Sequence, residues 1–244
     1  DPRAQPVNEA SPVFNEPRSD PKTVAASSPS PGTRHILETL LHKLNDSRSY
    51  RHFIATALAD ARHGGFIYAL AANSECETFQ SSRDLNKPQM TSNQAAHAAA
   101  LLQARCDINT DEYFQQMSAV LTAGGVPLDS DPLVAILVPR SHDRPKDEGL
   151  RRARALLESG DPIAMQSLIY LQTQPSGDPG GNTGGYFDGQ HYRTVAERAL
   201  LDDAWLLAQC SLGVSCGPEA TPTLLLCATR EWCGSDVAES LQIG

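Results

Sequence analysis

The chain has 244 residues, 40% apolar and 20% charged, enough for one large or two small domains with a genuine core. Its formal net charge is −9, it contains no lysine or arginine block, and only 6% of its residues are aromatic. Nucleic acids and anionic membrane surfaces call for clustered positive charge, and single strands for stacking platforms, so neither is an expected partner.

No apolar run approaches the roughly 18–20 residues that cross a bilayer. The longest candidate, Pro132 to Pro139, is short and bracketed by prolines. The chain begins at Asp1 with no leader pattern, so a leading segment is expected to have been removed. Residues 1–32 hold seven of the 17 prolines and almost no large apolar side chains. Such a segment cannot bury enough surface to offset its ordering entropy and is expected to be a disordered tether, spanning about 30 Å as a coil. The folded domain is expected over 33–244, with sub-halves 33–130 and 131–244.

From Thr33 onward the signals are helical. Thr33 can cap a helix with Ile36, Leu37, Leu40, Leu41 and Leu44 on one face, stopped by Asn45-Asp46-Ser47. A second helix is expected from Tyr50 to Arg62, burying Phe53, Ile54, Ala57, Leu58 and Ala61, with His63-Gly64-Gly65 as its stop. A third should run from Phe66 to about Cys76. Thr91 and Gln94 read as a capping box for an alanine-rich helix that ends near Cys106 and packs closely on a neighbour. Asn109 or Thr110 caps the next, which carries Asp111 and Glu112 in its first turn and stops at Gly124-Gly125.

Asp131-Pro132, Asp161-Pro162 and Thr221-Pro222 each place a capping side chain before a proline suited to the first helical position. Leu150–Ser159 and Pro162–Gln172 should form an αα-hairpin through Gly160. A long helix is expected from about His191 to Gln209, with short ones from Thr223 to Arg230 and Ser235 to Leu241. The fold class is therefore all-α: antiparallel helical hairpins packed in one irregular array and stapled by disulfides.

The staples are Cys76, Cys106, Cys210, Cys216, Cys227 and Cys233, the last four forming two C-x5-C units. An even count with paired spacing points to disulfides in an oxidising compartment. Zinc knuckles use different spacings, and no histidine follows His191, so a metal is not expected. Six reduced core thiols are the other alternative. Cys76 and Cys106, each placed near a helix end, suit one bridge. The other four admit three pairings, and their positions at helix ends joined by a short connection favour cross-pairing between the units.

Glu158-Ser159-Gly160-Asp161-Pro162-Ile163-Ala164 followed by Leu168 resembles the helix-to-helix step of Sel1-like and tetratricopeptide-type repeats. It covers about 20 residues, and no second copy recurs at the period of roughly 34–40 residues that repeats require. Together with Gly64-Gly65-Phe66 before Cys76 and the C-x5-C units, it is similar to uncharacterised exported bacterial α-helical proteins. That resemblance implies a compartment and no activity.

Gly213-Val214-Ser215-Cys216-Gly217 matches the G-x-S-x-G nucleophile elbow, which needs a strand before the serine and a histidine after it. Both are missing, and a small-residue turn between helices is the expected reading. Residues 173–190 form a long glycine-rich loop without the lysine of a phosphate-binding loop. Tyr186, Phe187 and Asp188 give its end a possible contact surface. The seven histidines show no paired ligand spacing and are expected at the surface or at helix ends. No catalytic residue, cofactor or metal is assigned. The expected function is a non-catalytic exported module, periplasmic or secreted, that binds a protein or envelope component. An envelope hydrolase with a site near 173–190 and a small-molecule binder with an inter-helix groove are the alternatives.

Overall fold

A computed structural model describes residues 31–85, 92–122, 124–127, 130–137, 148–166, 185–187, 190–192 and 195–244. The proposed tether up to residue 30, the loop over 173–184 and Asp188 lie outside them. The described residues are all-α apart from one small hairpin. Helix α1 spans Pro31–Asp46, α2 Tyr50–Ala59, α3 Gly65–Leu85, α4 Asn93–Arg105 and α5 Thr110–Thr122. Next come α6, Pro132–Leu137, α7, Glu148–Ser159, and a helical segment over 162–166, here α8. The hairpin strands are β1, Gly185–Phe187, and β2, Gln190–Tyr192. They are followed by α9, Val195–Ser211, α10, Thr221–Arg230, and α11, Val237–Ile243.

The apolar stripes bury as their spacing requires. Leu37, Leu40 and Leu44 of α1 meet Phe53, Ile54, Ala57 and Leu58 of α2 in one cluster that extends to Leu224 and Ala228 of α10. Ala95, Ala98 and Leu102 of α4 are buried, and α4 packs most extensively on α10. Small side chains on α4 permit that close approach.

The α2–α3 corner depends on its glycines. After a 3-10 turn over Ala61–His63, Gly64 adopts φ 106°, a left-handed conformation. At Gly65 a Cβ would lie 1.9 Å from the Ala57 carbonyl oxygen, so only glycine lets the chain fold back this tightly. Two aspartates then join the start of α3 to later helices. Asp131 accepts the Leu133 and Val134 N–H groups at 2.8 and 3.2 Å, capping α6, and also the Phe66 N–H at 3.0 Å. Asp161 accepts the Ala164 N–H at 2.8 Å, capping α8, and the Tyr68 hydroxyl at 2.8 Å. Gly160, at φ 66°, turns the chain between α7 and α8.

Several boundaries differ from expectation for identifiable reasons. Helix α1 already starts at Pro31, so Thr33 lies in its first turn instead of at its cap. Helix α3 runs nine residues past Cys76, which is therefore mid-helix. Ser92 caps α4 by accepting the Gln94 and Ala95 N–H groups, one residue after the expected Thr91. Asn109 caps α5 by accepting the Glu112 N–H at 2.9 Å. Helix α9 begins at Val195, because His191 belongs to β2, where it pairs with Tyr186 as Gln190 pairs with Phe187. Tyr186 and Phe187 are thus strand residues in the hairpin instead of the end of an irregular loop.

The cysteines form three disulfides, Cys76–Cys106, Cys210–Cys216 and Cys227–Cys233, with Cα–Cα distances of 5.5, 5.7 and 4.3 Å. The first matches expectation. The expected cross-pairing does not occur: each C-x5-C unit closes on itself. The C-terminal helices are held together by the Cys216 carbonyl instead. It accepts the Val237 N–H at 3.1 Å and the Thr223 hydroxyl at 2.9 Å, tying α10 and α11 to one turn.

Candidate functional site

Two polar constellations stand out, one closed and one open. The closed one is a seam in the interior. Residues Glu75 and Arg105 immediately precede the disulfide partners Cys76 and Cys106, so the bridge brings an acid and a base close together. They are linked through two hydroxyls. Arg105 donates to Thr221 Oγ1, and the Thr221 and Tyr50 hydroxyls lie 2.8 Å apart. Tyr50 in turn donates to a Glu75 carboxylate oxygen. With Arg105 as donor at one end and the Glu75 carboxylate as acceptor at the other, every proton in the chain points toward Glu75. A second Arg105 nitrogen donates to the Glu219 carbonyl at 3.0 Å. The seam thereby couples α2, α3, α4 and α10.

Burial raises the Glu75 carboxyl to about 7, against the lowering influence of the Tyr50 hydrogen bond, the Arg105 charge and Thr221. The Tyr50 hydroxyl is pushed well above its ordinary value, by burial first and then by the Glu75 charge. Arg105, Tyr50 and Thr221 are buried, and their donors and acceptors are engaged with one another. The seam is a structural joint. It also explains a missed expectation. Thr221 does not cap α10, since Ala220 occupies the cap with no side-chain bond, because its hydroxyl serves Arg105 and Tyr50.

The open constellation is a groove of about 650 Å³ between the second half of α1 and the first half of α2. It is lined by polar and charged side chains whose carbon atoms supply most of its surface, with buried Phe53 the one apolar residue along it. The hydroxyls along the groove are turned inward onto the protein. Thr39 donates to the His35 carbonyl at 2.9 Å and Thr56 to the His52 carbonyl at 3.0 Å, each on its own helix. Ser47 donates to the Ser49 carbonyl, and Ser49 donates to Asp107 at 2.6 Å while accepting the His52 N–H. Asp107 also accepts the Arg51 N–H at 2.9 Å, so the first turn of α2 is already occupied by a carboxylate of this chain. The groups left at the rim are His42, Lys43, Asp46 and His52, all exposed, together with Arg48. Arg48 forms an ion pair with Glu219 at 2.7 Å in which both side chains are well exposed. A pair of that kind is worth at most about 1 kcal/mol, so it is readily exchanged.

Next to the groove-lining Asp46 in sequence, Asn45 joins the end of α1 to a distant turn. Asn45 donates to the Gly213 carbonyl at 3.0 Å and accepts the Ser215 N–H at 2.9 Å. Its amide thus docks the 210–216 turn onto α1 by two parallel bonds. That turn contains the G-x-S-x-G match. It lies between two helices, Gly213 takes φ 106°, and Cys216 is in a disulfide, so Ser215 has none of the surroundings of a nucleophile.

Of the residues singled out from sequence, the six cysteines are brought together in pairs, while Tyr186 and Phe187 lie on β1. His42 and His52, expected from sequence at the surface or at helix ends, both line the α1–α2 groove. Among the described residues, no group of three or more His, Cys, Asp or Glu side chains is arranged to hold a metal ion. Likewise, no helix among them is long and apolar enough to cross a membrane. Comparison with protein-family models, with curated proteins and with solved structures finds no match to this chain.

Proposed function

We propose that the chain is a non-catalytic, exported helical module, periplasmic or secreted, that binds a protein or envelope component in the α1–α2 groove. The observation that carries this reading is the groove itself. It combines a largely carbon surface, hydroxyls already engaged within the protein, and a rim of exposed charged groups, of which Arg48 pairs with Glu219. A surface of that kind offers apolar burial inside and electrostatic selection outside, the usual division of labour at a binding site. Three disulfides support the compartment, since such bonds persist in oxidising surroundings.

Site-specific photo-crosslinking tests the reading. With p-benzoylphenylalanine in place of Thr56, in cells that naturally export the chain, a discrete covalent adduct is expected. The same probe in place of Phe114, exposed on the outer face of α5, should give none. Absence of an adduct at position 56, or equal adducts at both positions, would sink the proposal.

A further inference from the structure

Of the three bridges, only Cys210–Cys216 has both of its residues in contact with solvent. Cys76 and Cys106 are 2% and 5% exposed and Cys227 is 7% exposed, whereas Cys210, Cys216 and Cys233 are half-buried. We propose that Cys210–Cys216 is a reversible thiol–disulfide exchange site, opened by an oxidoreductase that carries a dithiol and closed again by a disulfide oxidant, while the other two bridges stay shut.

Exchange makes two demands on a bridge. An incoming thiolate attacks one sulfur, and the other sulfur departs with the negative charge. One sulfur must therefore be reachable, and the other must be able to hold a charge in contact with water. Cys76–Cys106 meets neither demand, since both residues lie in the core cluster. At Cys227–Cys233 only Cys233 can be approached, and the charge would then fall on Cys227, buried in the cluster that holds Leu224 and Ala228. At Cys210–Cys216 either sulfur can be attacked and either can leave.

The surroundings suit the open form as well as the closed one. Cys210 Sγ lies 3.2 Å from the Leu206 carbonyl oxygen, one turn back along α9. The closed bridge has no proton to give that oxygen, whereas a Cys210 thiol does, so opening adds a weak S–H bond. The turn also has closures of its own. The Gly213 and Val214 N–H groups donate to the Cys210 and Gln209 carbonyls at 3.3 and 3.1 Å, and Asn45 of α1 holds Gly213 and Ser215. These bonds keep the two thiols neighbours, so closing the bridge again is an intramolecular step. What opening loosens is α9, a helix whose exposed Leu200 and Leu207 mark light packing on the body.

The exchange balances as two displacements. One thiolate of the dithiol bonds to a sulfur of the bridge and expels the other, which takes up a proton. The second thiolate then breaks the mixed disulfide and releases the remaining cysteine, which is protonated in turn. Two electrons pass to the bridge, and the dithiol leaves as its own disulfide.

Two measurements test the proposal. In the first, the folded full chain is treated with dithiothreitol without denaturant, quenched with iodoacetamide and mapped by peptide mass spectrometry. Cys210 and Cys216 should be alkylated at least about tenfold faster than the other four cysteines, as an accessible bridge requires. Circular dichroism should show the helices retained, and oxidised glutathione should restore the pair. Earlier opening of another bridge, or opening of all three at one rate, would overturn the proposal. In the second, cells that naturally export the chain are quenched with acid and their thiols alkylated. A fraction of the chains should carry free Cys210 and Cys216 with the other four cysteines paired. A bridge closed in every chain would make Cys210–Cys216 a structural staple and overturn the proposal as well. The crosslinking result at position 56 bears on the groove alone and leaves this proposal unaffected.

Discussion

Cys76 and Cys106 are joined deep in the helical array, whereas Cys210–Cys216 and Cys227–Cys233 close turns at its edge. The first bridge spans 30 residues and both of its cysteines are buried, with Glu75 and Arg105 beside it. The other two each span six residues. In the chain-entropy account, the long bridge contributes about 3.6 kcal/mol and each short one about 2.2 kcal/mol. The larger contrast lies in what surrounds them. The long bridge positions a buried acid–base chain across four helices, while the short bridges shape loops whose carbonyls then hold helices in place. The same covalent bond is thus a tertiary organiser in one region and a local turn former in the other.

The sharpest way to break the comparison is Arg105→Ala. It leaves the half-buried Glu75 beside Cys76 without its compensating charge and frees the Thr221 and Glu219 acceptors. A loss of about 3–5 kcal/mol is expected, read as a melting temperature lower by roughly 10 °C. Next in size is the double change Cys76→Ala with Cys106→Ala. Denaturant titration should show about 3–4 kcal/mol lost, and more if the Glu75–Arg105 alignment slackens with it.

Acidity sharpens the contrast in a different way. In the unfolded chain the Glu75 carboxyl titrates near 4.5, and burial holds it at about 7 in the folded protein. Asp131 moves likewise from 3.8 to about 6, burial again outweighing its backbone hydrogen bonds. Between these limits the folded state binds more protons than the unfolded one, so both groups make stability fall as pH rises from about 4 to 7. The protein is expected to melt at a lower temperature at pH 7.5 than at pH 5.5. Glu75→Gln should shrink that difference, whereas Cys227→Ala with Cys233→Ala should leave it in place. A difference of the opposite sign would refute the assignment.

Smallest is the effect expected at the edge. Cys210→Ala with Cys216→Ala should cost about 2 kcal/mol, and Asn45→Ala about 1–2 kcal/mol. Amide exchange at Ser215 should speed up in both variants, since the Asn45 carbonyl protects that N–H only while the turn keeps its shape. Unchanged exchange in the cysteine variant would mean that Asn45 alone fixes the turn.

Much of the helical layout was readable from local signals. Asp131 and Asp161 cap where the aspartate–proline pairs place them, and Gly64, Gly125 and Gly160 take the left-handed conformations that their helix-stop positions call for. The errors share a cause, which is competition from partners remote in the chain. Thr221 has the pattern of a cap, but a buried arginine 116 residues away claims its hydroxyl. The short C-x5-C pairs close locally because the turn between them already brings the two cysteines within reach, which helix-end position alone does not reveal. The β1–β2 hairpin did leave a signal, the dipeptide Asp188-Gly189 between Tyr186-Phe187 and His191-Tyr192. The seam left a subtler one, opposite charges placed just before two cysteines that pair. The groove left none, since it arises from how α1 and α2 meet, and the hydroxyl bonds along it are invisible in composition.

The six cysteines pair off consecutively along the sequence, Cys76 with Cys106, Cys210 with Cys216 and Cys227 with Cys233. A chain threaded N-terminus first into an oxidising space therefore presents its thiols in the order in which they must be joined. An oxidase that couples each newly emerged thiol to the one waiting makes the native set, and no wrong bond has to be undone. Maturation should accordingly depend on a thiol oxidase and be indifferent to loss of a disulfide isomerase, a vectorial economy that cross-paired units would have forfeited.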